Sequence, residues 1–160
     1  MRKDKLQKMP LFKKAMEILD LVDRITDLVP ADNEYLKDIA DFMRADAAQI
    51  PAKIAGAFGD GPYDLKMENA TIIRKNAMQI YVQCNGFLME DFKEKEYLQL
   101  LRKEIEEFRV LFAEWVKTFD PWDYYIDRWG LFNPPGVNYD DKDPDEDLPF
   151  NNPFEEGEDD

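Results

Sequence analysis

Histidine is absent from the 160 residues of this chain, and that narrows the chemistry within its reach. The commonest general base is missing. So are the metal sites that use imidazole and the Glu-x-x-His di-iron pattern of ferritin-like bundles. There is no P-loop and no glycine-rich dinucleotide fingerprint. The single cysteine, Cys84, falls on an apolar helical stripe with no base to activate it, which is the setting of an inert core thiol. Carboxylates are plentiful. Asp20, Asp23 and Asp27 share one helical face, and Asp38 and Asp41 another. A metal centre needs such groups to converge inward, and both sets fall off the apolar stripes, so they read as solvated surface. Asp141, Asp143, Asp145 and Asp147 alternate as calcium-loop ligands do. However, Pro144 takes the fourth position, Glu146 replaces the turn glycine, and no glutamate closes the loop. We therefore expect no enzyme, no metal site and no cofactor.

Binding chemistry remains. The net charge is −14, but it is unevenly spread. Residues 1–119 hold 19 Lys and Arg against 21 Asp and Glu, a net of −2, while residues 120–160 hold 2 against 14, a net of −12. Residues 1–14 carry six basic side chains against Asp4 alone. A nearly neutral body thus has a basic arm at one end and an acidic extension at the other, an asymmetry that speaks of partners. Lys5, Lys8, Lys13, Lys14, Arg44, Lys53, Arg74, Lys75, Arg102 and Lys103 are the candidates for a phosphate-binding face. The alternative is a mixed, solvated surface. Aromatic stacking platforms of the kind that bind single strands are not evident on the body.

The elements that must position these residues are helical. Apolar side chains recur at steps of three and four. The first stripe is Leu11, Ala15, Ile18, Val22, Ile25 and Val29, and the second Leu36, Ile39, Met43, Ala47, Ile50, Ile54 and Phe58. The third is Ala70, Ile73, Ala77, Ile80, Cys84 and Phe87, and the fourth Leu98, Leu101, Ile105, Phe108, Phe112, Trp115 and Phe119. We expect helices over about 10–29, 33–58, 63–90 and 93–119. Pro30, with Asp32 or Asn33 as cap, separates the first pair, and Gly59-Asp60-Gly61-Pro62 the second. Asp91 and Glu94 have capping-box spacing before the last helix. Short connections return each helix against its predecessor, giving an all-α, antiparallel up-down-up-down four-helix bundle over residues 1–119. Pro51 lies inside the second helix and should kink it. The small residues around it, Gly56 included, suit tight packing within the bundle or a close interface with another protomer.

Beyond Asp120-Pro121 the chain changes character. Residues 120–136 carry Trp122, Tyr124, Tyr125, Ile126, Trp129, Leu131 and Phe132, too apolar for a free linker. We expect them to dock, as a short helix, on the bundle or on a neighbour. Residues 137–160 are rich in Asp, Glu, Pro and Asn, a composition that predicts an acidic, flexible tail. Phe150 and Phe154 within it resemble the anchors of a docking peptide. No apolar run approaches the ~20 residues of a membrane span, and the N-terminus lacks the apolar core of a signal peptide, so we expect a cytoplasmic protein without membrane contact.

The segment RADAAQIPAKIAGAFG, Arg44 to Gly59, resembles the second helix of the four-helix-bundle proteins encoded in intervening sequences of bacterial large-subunit ribosomal RNA genes. Arg44, Ala47, Ile50, Pro51, Ile54, Ala55, Phe58 and Gly59 match that pattern. Gln49, Lys53, Gly56 and Ala57 replace its Ser, Asn, Glu and Gly. KKAMEILDLVDRIT resembles the first helix of the same family. The last helix looks more like that of the related accessory variability determinant proteins of diversity-generating retroelements. The resemblance spans about residues 10–119. It implies a non-enzymatic homo-oligomer, commonly a homopentamer, and in the retroelement branch an accessory protein that binds RNA and a reverse transcriptase. The other reading is a protein-interaction module working through its tail, without nucleic acid. The candidate protein-interface residues are Pro51 and Gly56, toward another protomer, and Trp122, Tyr125, Trp129, Phe132, Phe150 and Phe154, in the extension.

Overall fold

A computed structural model describes residues 1–144. Among them are five α-helices and no strand: α1 (Arg2–Lys8), α2 (Pro10–Asp27), α3 (Glu34–Gly56), α4 (Tyr63–Met89) and α5 (Lys95–Val116). The first part of the basic arm, to which the sequence assigned no element, is itself the short helix α1. Met9 in extended conformation separates it from α2, which opens on Pro10 in its first turn, where a missing N–H costs nothing.

Each apolar stripe supplies one side of a single core. Leu11, Ala15, Ile18, Val22 and Ile25 of α2 are buried with Leu36, Met43, Ala47, Ile50 and Ile54 of α3. Ile73, Ala77, Ile80, Cys84 and Phe87 of α4 join them, as do Leu98, Leu101, Ile105 and Phe108 of α5. Helix α2 packs on α3 and α5, and α4 packs on the same two. The periodicity errs by one position in α3, where Ala40 is buried and Ile39 only partly so. Ile39 nevertheless has a partner across the seam. A Cβ on Gly86 of α4 would stand 2.6 Å from Ile39 Cδ1, so Ile39 fills the space that the glycine leaves.

The helix ends differ modestly from expectation. Of the two expected caps Asn33 serves α3, its side-chain oxygen accepting from Leu36 N at 3.0 Å. Helix α3 continues through Pro51 to Gly56, and Pro51 is buried. Asp91 does not cap α5. It takes a left-handed turn at φ 52°, a conformation that Asp tolerates better than most side chains. That turn delivers Phe92 into the core, edge-on to Phe87 with ring centres 5.1 Å apart, and postpones α5 to Lys95. No helix among the described residues is long and apolar enough to cross a membrane.

Candidate interaction surface

The chain leaves α5 through a turn that buries Phe119 edge-on to Trp115, ring centres 4.8 Å apart. Residues 120–144 form no helix, contrary to the docking helix expected there. They run back along the start of α4. Asp123 O accepts from Tyr63 N at 2.6 Å, and Asp64 Oδ1 accepts from Tyr125 N at 2.9 Å. The first bond satisfies one of the N–H groups that a helix start leaves without an intrahelical partner. The second gives the carboxylate of Asp64, which is buried, a hydrogen-bond partner.

Asp127 organises residues 127–133. Its carboxylate accepts from Trp129 N at 3.0 Å, Leu131 N at 2.9 Å and Phe132 N at 2.8 Å. The bond from Phe132 N leads in holding its pKa below the usual carboxylate range. Asn133 completes the knot: its amide oxygen accepts from Asp127 N at 2.7 Å, and its amide nitrogen donates to Asp127 O at 2.9 Å. Gly130, at φ +75°, takes the left-handed turn that lets the backbone curl around the carboxylate. Arg128 then ties down the next stretch, donating to Tyr139 O at 3.0 Å and Asp141 O at 2.6 Å. A polar lattice, not an apolar core, therefore fixes this segment, and it leaves aromatic side chains outside. Trp122 is 89% exposed and Trp129 96%, with Tyr125, Leu131 and Tyr139 also exposed. Phe132 is half-buried and serves as an anchor. Asp127, Arg128 and Asn133 were missed as determinants of the segment. Their signal was Asp and Asn flanking Trp-Gly, residues suited to side-chain-to-backbone turns. Phe150 and Phe154 lie outside the described residues.

The ten basic candidates do not share one face. Lys14 sits in the α2–α5 seam, 2.6 Å from Glu104, 2.7 Å from Glu107 and 3.1 Å from Glu17. Those hydrogen bonds, Glu104 first, raise its pKa above the ordinary lysine value. Arg44 pairs with Asp27 at 3.0 Å across α2 and α3. Arg102 donates to Asn85 and lies over the Tyr81 ring, 5.0 Å from its centre, and Lys103 stands 4.0 Å from Glu107. Lys5, Lys8 and Lys13 are exposed around the α1–α2 junction, Lys53 is half-buried on α3, and Arg74 and Lys75 lie on α4.

Asp20, Asp23, Asp27, Asp38 and Asp41 are exposed. Among the described residues no group of three or more His, Cys, Asp or Glu could hold a metal ion. Cys84 is fully buried, and burial pushes its thiol pKa up. Gly56 is exposed, with open space where a Cβ would stand. Neither protein-family models nor curated proteins give a match to this chain.

Proposed function

We propose that this protein works by binding other macromolecules, as a non-enzymatic accessory or scaffold whose docking element is the aromatic segment 120–136. One observation carries the reading: Trp122 and Trp129 stand almost wholly in water on a fixed backbone, Trp122 N donating to Asp120 Oδ1 at 2.9 Å beside the Tyr63–Asp123 bond and Trp129 N donating to Asp127 Oδ1 at 3.0 Å. Tryptophan fixed in this way loses little entropy on binding and is the residue type most enriched in interface hot spots. The aspartates nearby, Asp120, Asp123, Asp140 and Asp141, suit a partner with apolar and basic surface. The test compares the full chain with a Trp122→Ala/Trp129→Ala variant as bait. Helical content should be unchanged, and the partners captured by the full chain should be lost. An identical set of partners on both baits refutes the reading.

The finer architecture we propose is the up-down-up-down bundle, supported by the brief connections 28–33, 57–62 and 90–94 and by the α2–α5 contact. A second reading adds a homo-oligomer, pentameric by resemblance, that binds RNA and assists a reverse transcriptase. The exposed Lys5, Lys8 and Lys13 favour it, and Gly56 offers a point of close approach for a second copy. It predicts low-salt binding of single-stranded RNA, weakened by Lys5→Glu/Lys8→Glu/Lys13→Glu with a shallower salt dependence. A chain that ignores RNA at low salt removes the nucleic-acid part, and a monomeric mass by light scattering removes the ring.

A further inference from the structure

The α4–α5 seam is the least closely packed of the four, and it leaves an apolar groove of about 640 Å³. Ala77, Met78, Tyr81 and Val82 of α4 line it opposite Phe108, Phe112 and Val116 of α5. Phe108 is buried, but Met78 is 50% and Val82 60% exposed, so the groove opens apolar surface to water. Two cations border it, Arg74 and Arg109. The one carboxylate there, Glu106, is engaged by Arg109 at 3.0 Å, and Arg74 makes no ion pair among the described residues. An occupant should therefore carry spaced apolar groups and negative charge.

The chain carries such a segment. Residues 145–160 hold eight acidic and no basic side chains, with Leu148, Phe150 and Phe154 among them. They lie outside the described residues, but their starting point does not. Residues 139–141 are tied to Arg128, which borders a hollow with Asp64, Leu65 and Glu68 in the first turns of α4. Arg74 is ten residues beyond Asp64, about 15 Å further along that helix. Six residues from Pro144 to Phe150 reach about 20 Å when extended, and four more bring Phe154 about 13 Å beyond. Tyr81 stands about 10 Å past Arg74. Reach, charge and apolar spacing all match.

We infer that residues 148–154 dock into the α4–α5 groove of their own chain, Phe150 and Phe154 covering its apolar lining and the flanking carboxylates facing Arg74 and Arg109. This surface is separate from the exposed tryptophans, so the inference stands or falls apart from the proposed function.

The test places a spin label on the full chain at Glu155→Cys, with the buried Cys84 left in place, and follows the methyl resonances of Met78, Val82 and Val116. Strong broadening that persists on dilution is expected. Phe150→Ala and Phe154→Ala should each lower the ratio of docked to undocked chains by roughly ten- to a hundredfold, and together should abolish the broadening. Absence of broadening overturns the inference, as does broadening that survives both substitutions. Broadening in a mixture of labelled, NMR-silent chains with unlabelled, NMR-visible ones also overturns it, because the occupant would then be the tail of a second copy.

Discussion

Replacing Lys14 by Met tests whether this lysine is a clamp between helices or a contact for an external phosphate. The lysine side chain is 16% exposed and that of Glu104 18%, with Nζ 2.6 Å from Oε2. Methionine keeps the apolar stem and removes the charge. The carboxylates of Glu104 and Glu107, both within hydrogen-bond distance of one nitrogen, are then left facing each other. A charge-assisted hydrogen bond between partners this buried contributes ~1.5–3 kcal/mol. The contact with Glu17, which is 61% exposed, adds only ~0.3 kcal/mol. The expected loss is about 2 kcal/mol, a fall in Tm of roughly 4–8 °C for a chain of this size. Pairing Lys14→Met with Glu104→Gln should return a coupling of ~1 kcal/mol. The effect has a pH signature. The raised pKa of Lys14 makes its contribution fully present below the ordinary lysine value and lost only as pH rises through the raised one. The depressed pKa of Glu107, caused by Lys14, makes its share present above the ordinary glutamate value and lost as pH falls through the depressed one. The gap in Tm between wild type and variant should therefore be flat from about pH 6 to about pH 9 and narrow below about pH 4. A change in Tm under about 1 °C, or loss of RNA binding at unchanged Tm, would refute the clamp.

Three other perturbations are informative. Phe87→Ala removes a fully buried ring packed edge-on against Phe92 and should cost ~3–5 kcal/mol in denaturant unfolding. Cys84 is buried and its thiol pKa is raised, so a thiol-directed reagent should modify it only at the rate of unfolding. Modification within seconds in native buffer contradicts this burial. Asp127→Ala strands three N–H donors and should raise amide exchange at Trp129, Leu131 and Phe132 while the bundle keeps its Tm. Acid should release the same segment in the wild type, because the lowered pKa of Asp127 gives stability above the ordinary aspartate value that is lost as pH falls through the lowered one.

The stripes of α2, α4 and the first half of α5 could be read directly, because a residue's phase on a helix decides which side chains can meet water together. The reading weakened where the partner helix matters. Ile39 is only partly buried beside a buried Ala40 although it packs over Gly86 of another helix, and Phe112 and Trp115 keep the phase of their stripe yet are only partly buried, Phe112 beside the α4–α5 groove and Trp115 beside a hollow it shares with Met9 and Phe58. The candidate binding residues were less legible. A lysine looks the same in sequence whether it faces water or three carboxylates: Glu17 is a local neighbour of Lys14, but Glu104 lies ninety positions away.

Residues 120–136 divide the same way. Their sequence determined that apolar side chains follow the bundle and that the excess negative charge lies beyond them, since composition alone fixes both. It did not determine that the aromatics would face outward. Only the tertiary structure decided that, by routing the backbone past Asp64 and around Asp127. The Asp64 bond joins groups 61 positions apart and the Asp127 bonds are local but aperiodic, so neither leaves a periodic trace in the chain, whereas helical burial repeats every turn.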